Sequence, residues 1–380
     1  MQIEADPVPS AEKPGVALFW LTPPRFLAAL AVLISHVTLW VGPLGLAIPN
    51  FVRAGFLGVP FFFVLSGFIL AHVYCSSDVP INKRRFWVAR FARIYPAYFL
   101  GLILTLPSYV RLLAGYAHAR QWNLIVEPVA TLALVHSWFP FMYMSWNGVG
   151  WTLGVEAFFY LAFPFVAGPI SRLKPTSCLV VVAALWMLIM LRFVGIPDST
   201  FFFNRSPIGR LPEFLTGILL CTVYRTTPKH TRQRIAAPLL ICSVIALILV
   251  LMNYSTKYRQ AVDGGTLAPI FGALIFALAC LPSPSGRLAR LGTLLGEASY
   301  AMYILQGGII WIAAGVLRRM HVVEPMILMP AVTVAVVAGG VAAYLRWERP
   351  LQKRLLQAGA SFGRNHGNAG ETSDRGVRHP

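Results

Sequence analysis

The chain has 380 residues, of which 57% are hydrophobic and 12% charged, with a mean hydropathy of +0.66. A soluble domain carries about a quarter charged residues, so the composition excludes an ordinary soluble protein and predicts an all-α, polytopic membrane protein. The 32 Lys and Arg against 14 Asp and Glu give a formal net charge of +18. Because no soluble basic surface remains for nucleic acid once the apolar segments are removed, we attribute the excess to loops on the inner face of a membrane.

The cysteines form no metal-binding or redox motif. The sequence has no Cys-x-x-Cys pair and no Cys/His spacing suited to zinc. We therefore interpret the cysteines as small buried hydrophobic side chains and expect no metal. They are Cys75, Cys178, Cys221, Cys242 and Cys280.

Ten apolar stretches are predicted to cross the membrane as helices, an even number that puts both termini on one side. The basic residues of the connections place that side in the cytoplasm. The first span has a clear start, because Thr22 can cap it and Pro23 and Pro24 fit its first turn. The predicted spans lie near residues 23–41, 54–75, 95–113, 151–170, 177–195, 207–225, 235–252, 266–282, 297–317 and 325–345.

One transmembrane domain is predicted over residues 23–350. It follows a cytoplasmic or interfacial segment, 1–22, and precedes a largely disordered cytoplasmic tail, 351–380. Residues 1–15 are polar and contain proline, so no cleavable signal peptide is expected. The apolar stretch 124–141 is interrupted by polar and proline residues, and we interpret it as an outer-face or re-entrant segment in preference to an eleventh span.

Two ionisable residues share one face of the first predicted helix. Arg25 and His36 are eleven residues apart, which is about three turns and roughly 16 Å along the axis. Ionisable groups inside a membrane helix are costly and often mark function. An imidazole can take a proton from a hydroxyl group, as acyl transfer to an alcohol requires, although a lone His can also be structural. Arg25 can bind an anionic group or extend to phospholipid.

A carboxylate in the fourth predicted span is a candidate partner for that imidazole. On the predicted boundaries, Glu156 and His36 both lie roughly 7–8 Å from the outer ends of their helices. This matching depth permits a pair in which Glu156 orients and supports His36. A bond from Glu156 to Arg210 or another basic group is the alternative.

The connection before the third predicted span is basic and aromatic. Positive-inside topology accounts for its charge alone. Arg90 and Arg93 add a further signal, because they lie one turn apart on one face and are interleaved with aromatic residues. Such a surface suits a phosphorylated, ring-bearing ligand such as coenzyme A. The stretch contains Lys83, Arg84, Arg85, Phe86, Trp87, Arg90, Phe91 and Arg93.

The start of the second predicted span is rich in glycine. Gly55, Gly58 and Gly67 allow neighbouring helices to approach closely. Ser66 is a candidate nucleophile, although no basic residue is near it in the sequence.

Seven motifs, in order, resemble those of acyltransferase family 3, the integral-membrane acyltransferases that modify bacterial surface and secreted carbohydrates. The resemblance implies a ten-helix core, acyl-coenzyme A as cytoplasmic donor and O-acylation of a sugar hydroxyl. It also implies that Arg25 and His36 are needed for activity and that Arg90 and Arg93 serve the donor side. The motifs are Arg25 with His36, Phe62–Phe68, Arg90–Pro96, Trp151–Tyr160, Arg210–Gly217, Leu295–Tyr303 and Glu348–Pro350.

The chain departs from the family pattern at two positions. Thr22, Pro23 and Pro24 stand where the family usually has an acidic residue and a glycine, and Gln306 stands where it commonly has a histidine. Some relatives also carry a soluble C-terminal esterase-like domain that receives the acyl group. We expect none here, so the core would acylate its acceptor directly or pass the group to another protein.

These observations predict a membrane O-acyltransferase, most simply an O-acetyltransferase, of the bacterial cytoplasmic membrane. The donor would be acyl-coenzyme A, and the acceptor a hydroxyl of a cell-envelope or exported polysaccharide or its lipid-linked precursor. Polysaccharide-assembly proteins are expected partners. The predicted residues are His36 and Glu156 for catalysis, Arg25, Arg85, Arg90 and Arg93 for the donor, and Ser66, Trp151, Tyr160, Arg210 and Glu213 for the substrate or oxyanion.

The main alternative is a transporter or flippase for a solute of a polysaccharide pathway. Ten helices, buried charges and a basic inner face fit that class too, and solute uptake without acyl-coenzyme A turnover would favour it. A glycosyltransferase would need outer-face acidic groups for a metal or lipid phosphate, for which Asp198 and Asp263 are poor candidates. A structural partner in polysaccharide export is the third alternative.

Overall fold

A computed structural model describes residues 18–42, 47–75, 80–116, 123–142, 144, 146–195, 200–255 and 263–359. All regular secondary structure in these ranges is helical, which confirms the predicted all-α class. Asp198, most of segment 1–22 and the tail from residue 360 lie outside the described residues. Residues 351–359, assigned by the prediction to the tail, are helical.

Ten helices of 12 residues or more, called the long helices below, account for most of the described chain. Shorter helices and turns connect them, including Ala54–Leu57, Asn123–Leu132, His136–Trp138 and Thr200–Arg205. The long helices are α1 (Pro23–Val41), α2 (Gly58–Tyr74), α3 (Lys83–Tyr116), α4 (Trp151–Ser171), α5 (Pro175–Gly195), α6 (Pro207–Thr226), α7 (Lys229–Met252), α8 (Ala268–Ala279), α9 (Arg287–Arg319) and α10 (Pro325–Ala343).

Seven helical stretches in the described residues are long and apolar enough to cross a membrane. They contain α1, α2, α3, α4, α7, α9 and α10. Two more apolar stretches, Pro175–Leu191 and Ala268–Ala279, are shorter, and the latter is the whole of α8. The predicted count of ten spans and the cytoplasmic position of both termini remain predictions.

Two local predictions differ from the structure. The basic stretch predicted as a connection is helical from Lys83 and forms the first turns of α3. Thr22 makes no capping hydrogen bond, because its backbone is already helical (φ −87°, ψ −52°) and a capping residue is normally extended. Pro23 and Pro24 do occupy the first turn of α1, as predicted.

Glycines let α2 pack directly against two helices. A Cβ on Gly67 would lie 2.0 Å from the carbonyl oxygen of Phe214 in α6, and one on Gly58 would lie 2.6 Å from the carbonyl oxygen of Ala28 in α1. Both distances are shorter than van der Waals contact. The predicted role of these glycines in close helix approach is therefore confirmed, and it brings α1, α2 and α6 together.

The stretch predicted to be re-entrant contains a helix of only ten residues, Asn123–Leu132. Such a helix is about 15 Å long, half the thickness of the hydrocarbon core. The 3-10 turn His136–Trp138 follows, with His136 and Ser137 fully buried. A Cβ on Gly154 would lie 2.4 Å from the Ser137 hydroxyl oxygen, so this segment packs against α4 and does not form an eleventh spanning helix.

Candidate active site

The imidazole of His36, on α1, contacts α9. Its Nδ1 lies 3.0 Å from the side-chain oxygen of Gln306, 270 residues along the chain. The ring also stacks on Trp40, with centroids 4.5 Å apart and planes 7° from parallel. The partner of the imidazole in α9 is thus the residue that stands where the family commonly has a histidine.

Gln306 is itself held in one orientation. The side chain is fully buried, and its Nε2 donates to the carbonyl oxygen of Tyr303, 2.8 Å away. The Tyr303 hydroxyl accepts from Thr152 at 3.3 Å and donates to the carbonyl oxygen of Val149 at 3.4 Å. The start of α4 is thereby tied to the turn of α9 that carries Gln306.

A second group of polar residues surrounds the start of α1. We call it the arginine cluster and define it as three arginines and two glutamates that interact electrostatically with one another. They come from α1, α3, α4 and the residues after α10, and Arg93 has 20% of its side chain exposed. The members are Arg25, Arg90, Arg93, Glu156 and Glu348.

Glu156 belongs to this arginine cluster. Its carboxylate accepts a hydrogen bond from the Tyr160 hydroxyl at 3.2 Å, and Tyr160 also hydrogen-bonds Ser66. The charges that act on Glu156 include Arg25, which lies about 16 Å from His36 along α1. The predicted pair between His36 and Glu156 remains a prediction, while the amide of Gln306 occupies Nδ1 of the imidazole.

Arg93 is paired with a carboxylate that the sequence motif contained but did not link to it. The Arg93 guanidinium donates to Glu348, which is fully buried, and its charge lies 5.5 Å from the ring centroid of Tyr300. Glu348 ends a π-helical turn, Tyr344–Glu348, and such turns often occur at functional sites. The other carboxylate oxygen of Glu348 is buried with no hydrogen-bond partner among the described residues.

Arg90 lies against two aromatic rings, of which Phe86 belongs to the interleaved pattern and Tyr74 comes from α2. Its guanidinium is 5.6 Å from the ring centroid of Tyr74 and 5.9 Å from that of Phe86, and it donates to the Tyr74 hydroxyl at 3.4 Å. The Nε atom of Arg90 is buried with no hydrogen-bond partner among the described residues. Arg85 is exposed at the start of α3.

A third polar group, the ion-pair cluster, consists of Arg205, Arg210, Glu213 and Asp263. Arg210 is fully buried and donates from its three nitrogen atoms to Glu213 at 2.9 Å, to Asp263, and to the carbonyl oxygen of Asn204 at 2.9 Å. The sequence makes Asp263 a poor candidate for the metal or lipid phosphate site of a glycosyltransferase. The turn before α8 nevertheless brings it to Arg210.

Trp151 borders this ion-pair cluster. The guanidinium of Arg205 lies 4.5 Å from its ring centroid, and that of Arg210 lies 5.7 Å away. The predicted substrate roles of Trp151, Arg210 and Glu213 remain predictions. The contacts of Arg210 are those of a structural ion pair. Among the described residues, no group of three or more His, Cys, Asp and Glu side chains could hold a metal ion.

Comparison with known proteins identifies the family. A family model described as an acyltransferase domain matches residues 20–345. Peptidoglycan O-acetyltransferase OatA of Listeria monocytogenes is 24% identical over 325 residues, which are 77% of this chain and 49% of that protein. O-acetyltransferase OatA of Staphylococcus aureus is 24% identical over 310 residues, which are 74% of this chain and 48% of that protein.

The chain spans about half the length of these relatives. No solved structure matches it. The family match covers the His36 pair and all of the arginine cluster except Glu348, which lies three residues beyond its end. On that match, the chain belongs to acyltransferase family 3.

Proposed function

We propose that the protein is a membrane O-acetyltransferase of the bacterial cytoplasmic membrane. In this proposal it moves an acetyl group from cytoplasmic acetyl-coenzyme A to a hydroxyl of a cell-envelope or exported polysaccharide or its lipid-linked precursor. The observation that carries the proposal is the contact between the half-buried His36 and the fully buried Gln306, with His36 on the helix whose first turn carries Arg25. Two relatives are named O-acetyltransferases, and the name of one includes peptidoglycan. These names support acetyl as the transferred group and a carbohydrate as the acceptor.

The arginine cluster is the proposed donor site. Three guanidinium groups face two carboxyl groups there, so the cluster retains positive charge for phosphate oxygens, which arginine binds well. Arg90 is half-buried, and its planar guanidinium can itself stack on a purine ring. Arg85 lies exposed at the start of the same helix, where it would meet the phosphorylated end of the donor first.

His36 is the proposed general base. Its imidazole takes the proton from the acceptor hydroxyl, and the hydroxyl oxygen forms a bond to the thioester carbonyl carbon. When the carbon–sulfur bond breaks, the thiolate of coenzyme A leaves and takes the proton from the imidazolium. The oxyanion formed in between needs donors, for which Ser66, Tyr160, Trp151 and backbone N–H groups are the candidates.

Glu156 takes part in this proposal as a member of the donor site. It accepts from Tyr160 and lies among Arg25, Arg90 and Arg93. By interacting with the three guanidinium groups it would keep them together in the absence of donor. A direct contact with His36 during the reaction is the second role that we propose for Glu156.

Transfer of labelled acetyl groups in membranes tests the proposal. Membranes containing His36→Ala, at the same protein level as wild type, should lose transfer by about a hundredfold or more, since general-base catalysis contributes about 10²–10⁴-fold. His230→Ala is the matched control, because His230 is exposed at the start of α7. Undiminished transfer by His36→Ala would overturn the catalytic role of His36.

A further inference from the structure

We propose that Gln306 is the positioning residue of His36, which fixes the imidazole in the tautomer that carries its proton on Nδ1. This inference rests on the proposed function, because it assigns a role within the same acyl transfer. The general base would then be Nε2 of His36. In this chain an amide takes the place that a carboxylate holds in many catalytic triads.

The orientation of the Gln306 amide follows from its second contact. The carbonyl oxygen of Tyr303 can only accept hydrogen bonds, and it lies 2.8 Å from the amide. The NH₂ end of Gln306 must therefore face Tyr303, because the opposite orientation would place two oxygen atoms against each other. The amide oxygen is left facing His36.

The tautomer of His36 follows from that orientation. Its Nδ1 lies 3.0 Å from the amide oxygen, an acceptor without a hydrogen. A hydrogen bond at this distance requires that Nδ1 carry the proton and donate it. In the neutral ring the lone pair is then on Nε2, and this is the nitrogen that can take a proton from an acceptor hydroxyl.

Neighbouring contacts keep the pair rigid. Trp40 stacks on the imidazole, so rotation of the ring about its Cβ–Cγ bond would break the stack as well as the hydrogen bond. On the α9 side, the side-chain amide of Asn147 donates to the carbonyl oxygen of Ile304 at 3.0 Å. The turn of α9 that contains Tyr303, Ile304 and Gln306 is thus held by the residues that precede α4.

An amide and a carboxylate would serve His36 differently. Either can accept from Nδ1 and select the same tautomer, but only a carboxylate adds a full negative charge beside the imidazolium that forms during the reaction. In this chain the imidazole therefore works next to a neutral partner. A substitution at Gln306 that keeps the acceptor but adds charge should change the pH dependence of catalysis.

Gln306→Met and Gln306→Glu form the test pair, with acetyl transfer measured as kcat and KM over a range of pH. Gln306→Met keeps the side-chain length and removes the acceptor. We expect its kcat to fall by about tenfold or more, with the KM for acetyl-coenzyme A unchanged within about twofold. A triad whose imidazole is held in the wrong tautomer loses about 10⁴-fold in kcat. We expect a smaller loss here, because methionine does not force His36 into either tautomer.

Gln306→Glu keeps the acceptor that faces His36, but it replaces the NH₂ group that donates to the carbonyl oxygen of Tyr303 with a second oxygen. We therefore expect it to regain only part of the kcat lost in Gln306→Met. It should move the acidic limb of the pH profile to higher pH by about one unit or more, since a carboxylate favours the charged imidazolium. The sign follows because the base must be neutral to accept a proton. The limb moves only if residue 306 lies beside the imidazole that acts as the base, so this shift tests their contact separately from any loss of folding.

Two outcomes would overturn the inference: a Gln306→Met variant with wild-type kcat, or a Gln306→Glu variant whose acidic limb coincides with that of wild type. These failures differ from failure of the proposed function. If His36→Ala abolishes transfer while Gln306→Met does not, only the role of Gln306 is wrong. If His36→Ala transfers normally, the proposed function of the site is wrong.

Discussion

The arginine cluster and the ion-pair cluster contain the same kinds of residue but differ in charge balance and in hydrogen bonding. In the ion-pair cluster two arginines face two carboxylates, and each nitrogen of the fully buried Arg210 bonds a protein acceptor. In the arginine cluster three arginines face two carboxylates, and Nε of Arg90 is buried without a hydrogen-bond partner among the described residues. A buried arginine is thus not by itself a sign of ligand binding.

The number of acceptors around each guanidinium distinguishes the two clusters. A buried ion pair with matched charges tolerates little change, because removing one partner leaves an uncompensated charge. A cluster with excess positive charge is stabilised by a bound anion and can be altered at a smaller cost in stability. The predictions below test this difference, from the largest expected effect to the smallest.

Arg210→Met should have the largest effect, and it should act on folding. It removes the buried guanidinium that pairs with Glu213 and Asp263, which costs about 3–5 kcal/mol. We expect the yield of folded, detergent-solubilised protein to fall sharply and acetyl transfer to fall with it. Normal yield with a selective loss of transfer would instead place Arg210 in the substrate site.

Arg90→Gln should act on the donor. A hydrogen bond to a charged group contributes about 1.5–3 kcal/mol, so we expect the KM for acetyl-coenzyme A to rise by roughly tenfold to a hundredfold at unchanged protein yield. Arg234→Gln, which removes an exposed arginine from α7, is the control for loss of surface charge. An unchanged KM in Arg90→Gln would remove Arg90 from the donor site.

Arg93→Gln and Glu348→Gln should be coupled. Their ion pair joins α3 to the turn after α10, and coupling energies between contacting residues are about 0.5–3 kcal/mol. We expect the double variant to lose less stability than the two single losses added together, measured by thermal unfolding of purified protein. Simple additivity would show that the pair contributes no interaction energy.

Tyr160→Phe should have the smallest effect. It removes the hydroxyl that donates to Glu156 at 3.2 Å and also bonds Ser66, a loss of about 0.5–1.5 kcal/mol. We expect acetyl transfer to fall by about tenfold at most. A loss as large as that of His36→Ala would show that Tyr160 contacts the reacting atoms.

Local sequence patterns predicted the parts of this site that lie on one helix. The eleven-residue spacing of Arg25 and His36 puts both on one face of α1. This helix begins and ends where it was predicted. The aromatic pattern around Arg90 contained Phe86, one of the two rings near its guanidinium, while the other, Tyr74, comes from α2. Gly58 and Gly67 predicted where helices meet. These features depend on hydrophobicity, backbone geometry and the 3.6-residue period, all of which are read from neighbouring residues.

Pairings between helices could not be obtained in this way. Depth along separate helices suggested Glu156 as the partner of His36, but depth does not determine which faces meet, and the structure places Gln306 at Nδ1. Likewise, Arg93 meets Glu348 across 255 residues, and Arg210 meets Asp263 across 53. The sequence alone determined the all-α class, the family and the bounds of helices such as α1, because these depend on local hydrophobicity and backbone geometry. Only the packing of helices distant in the chain decided which polar and charged groups are partners.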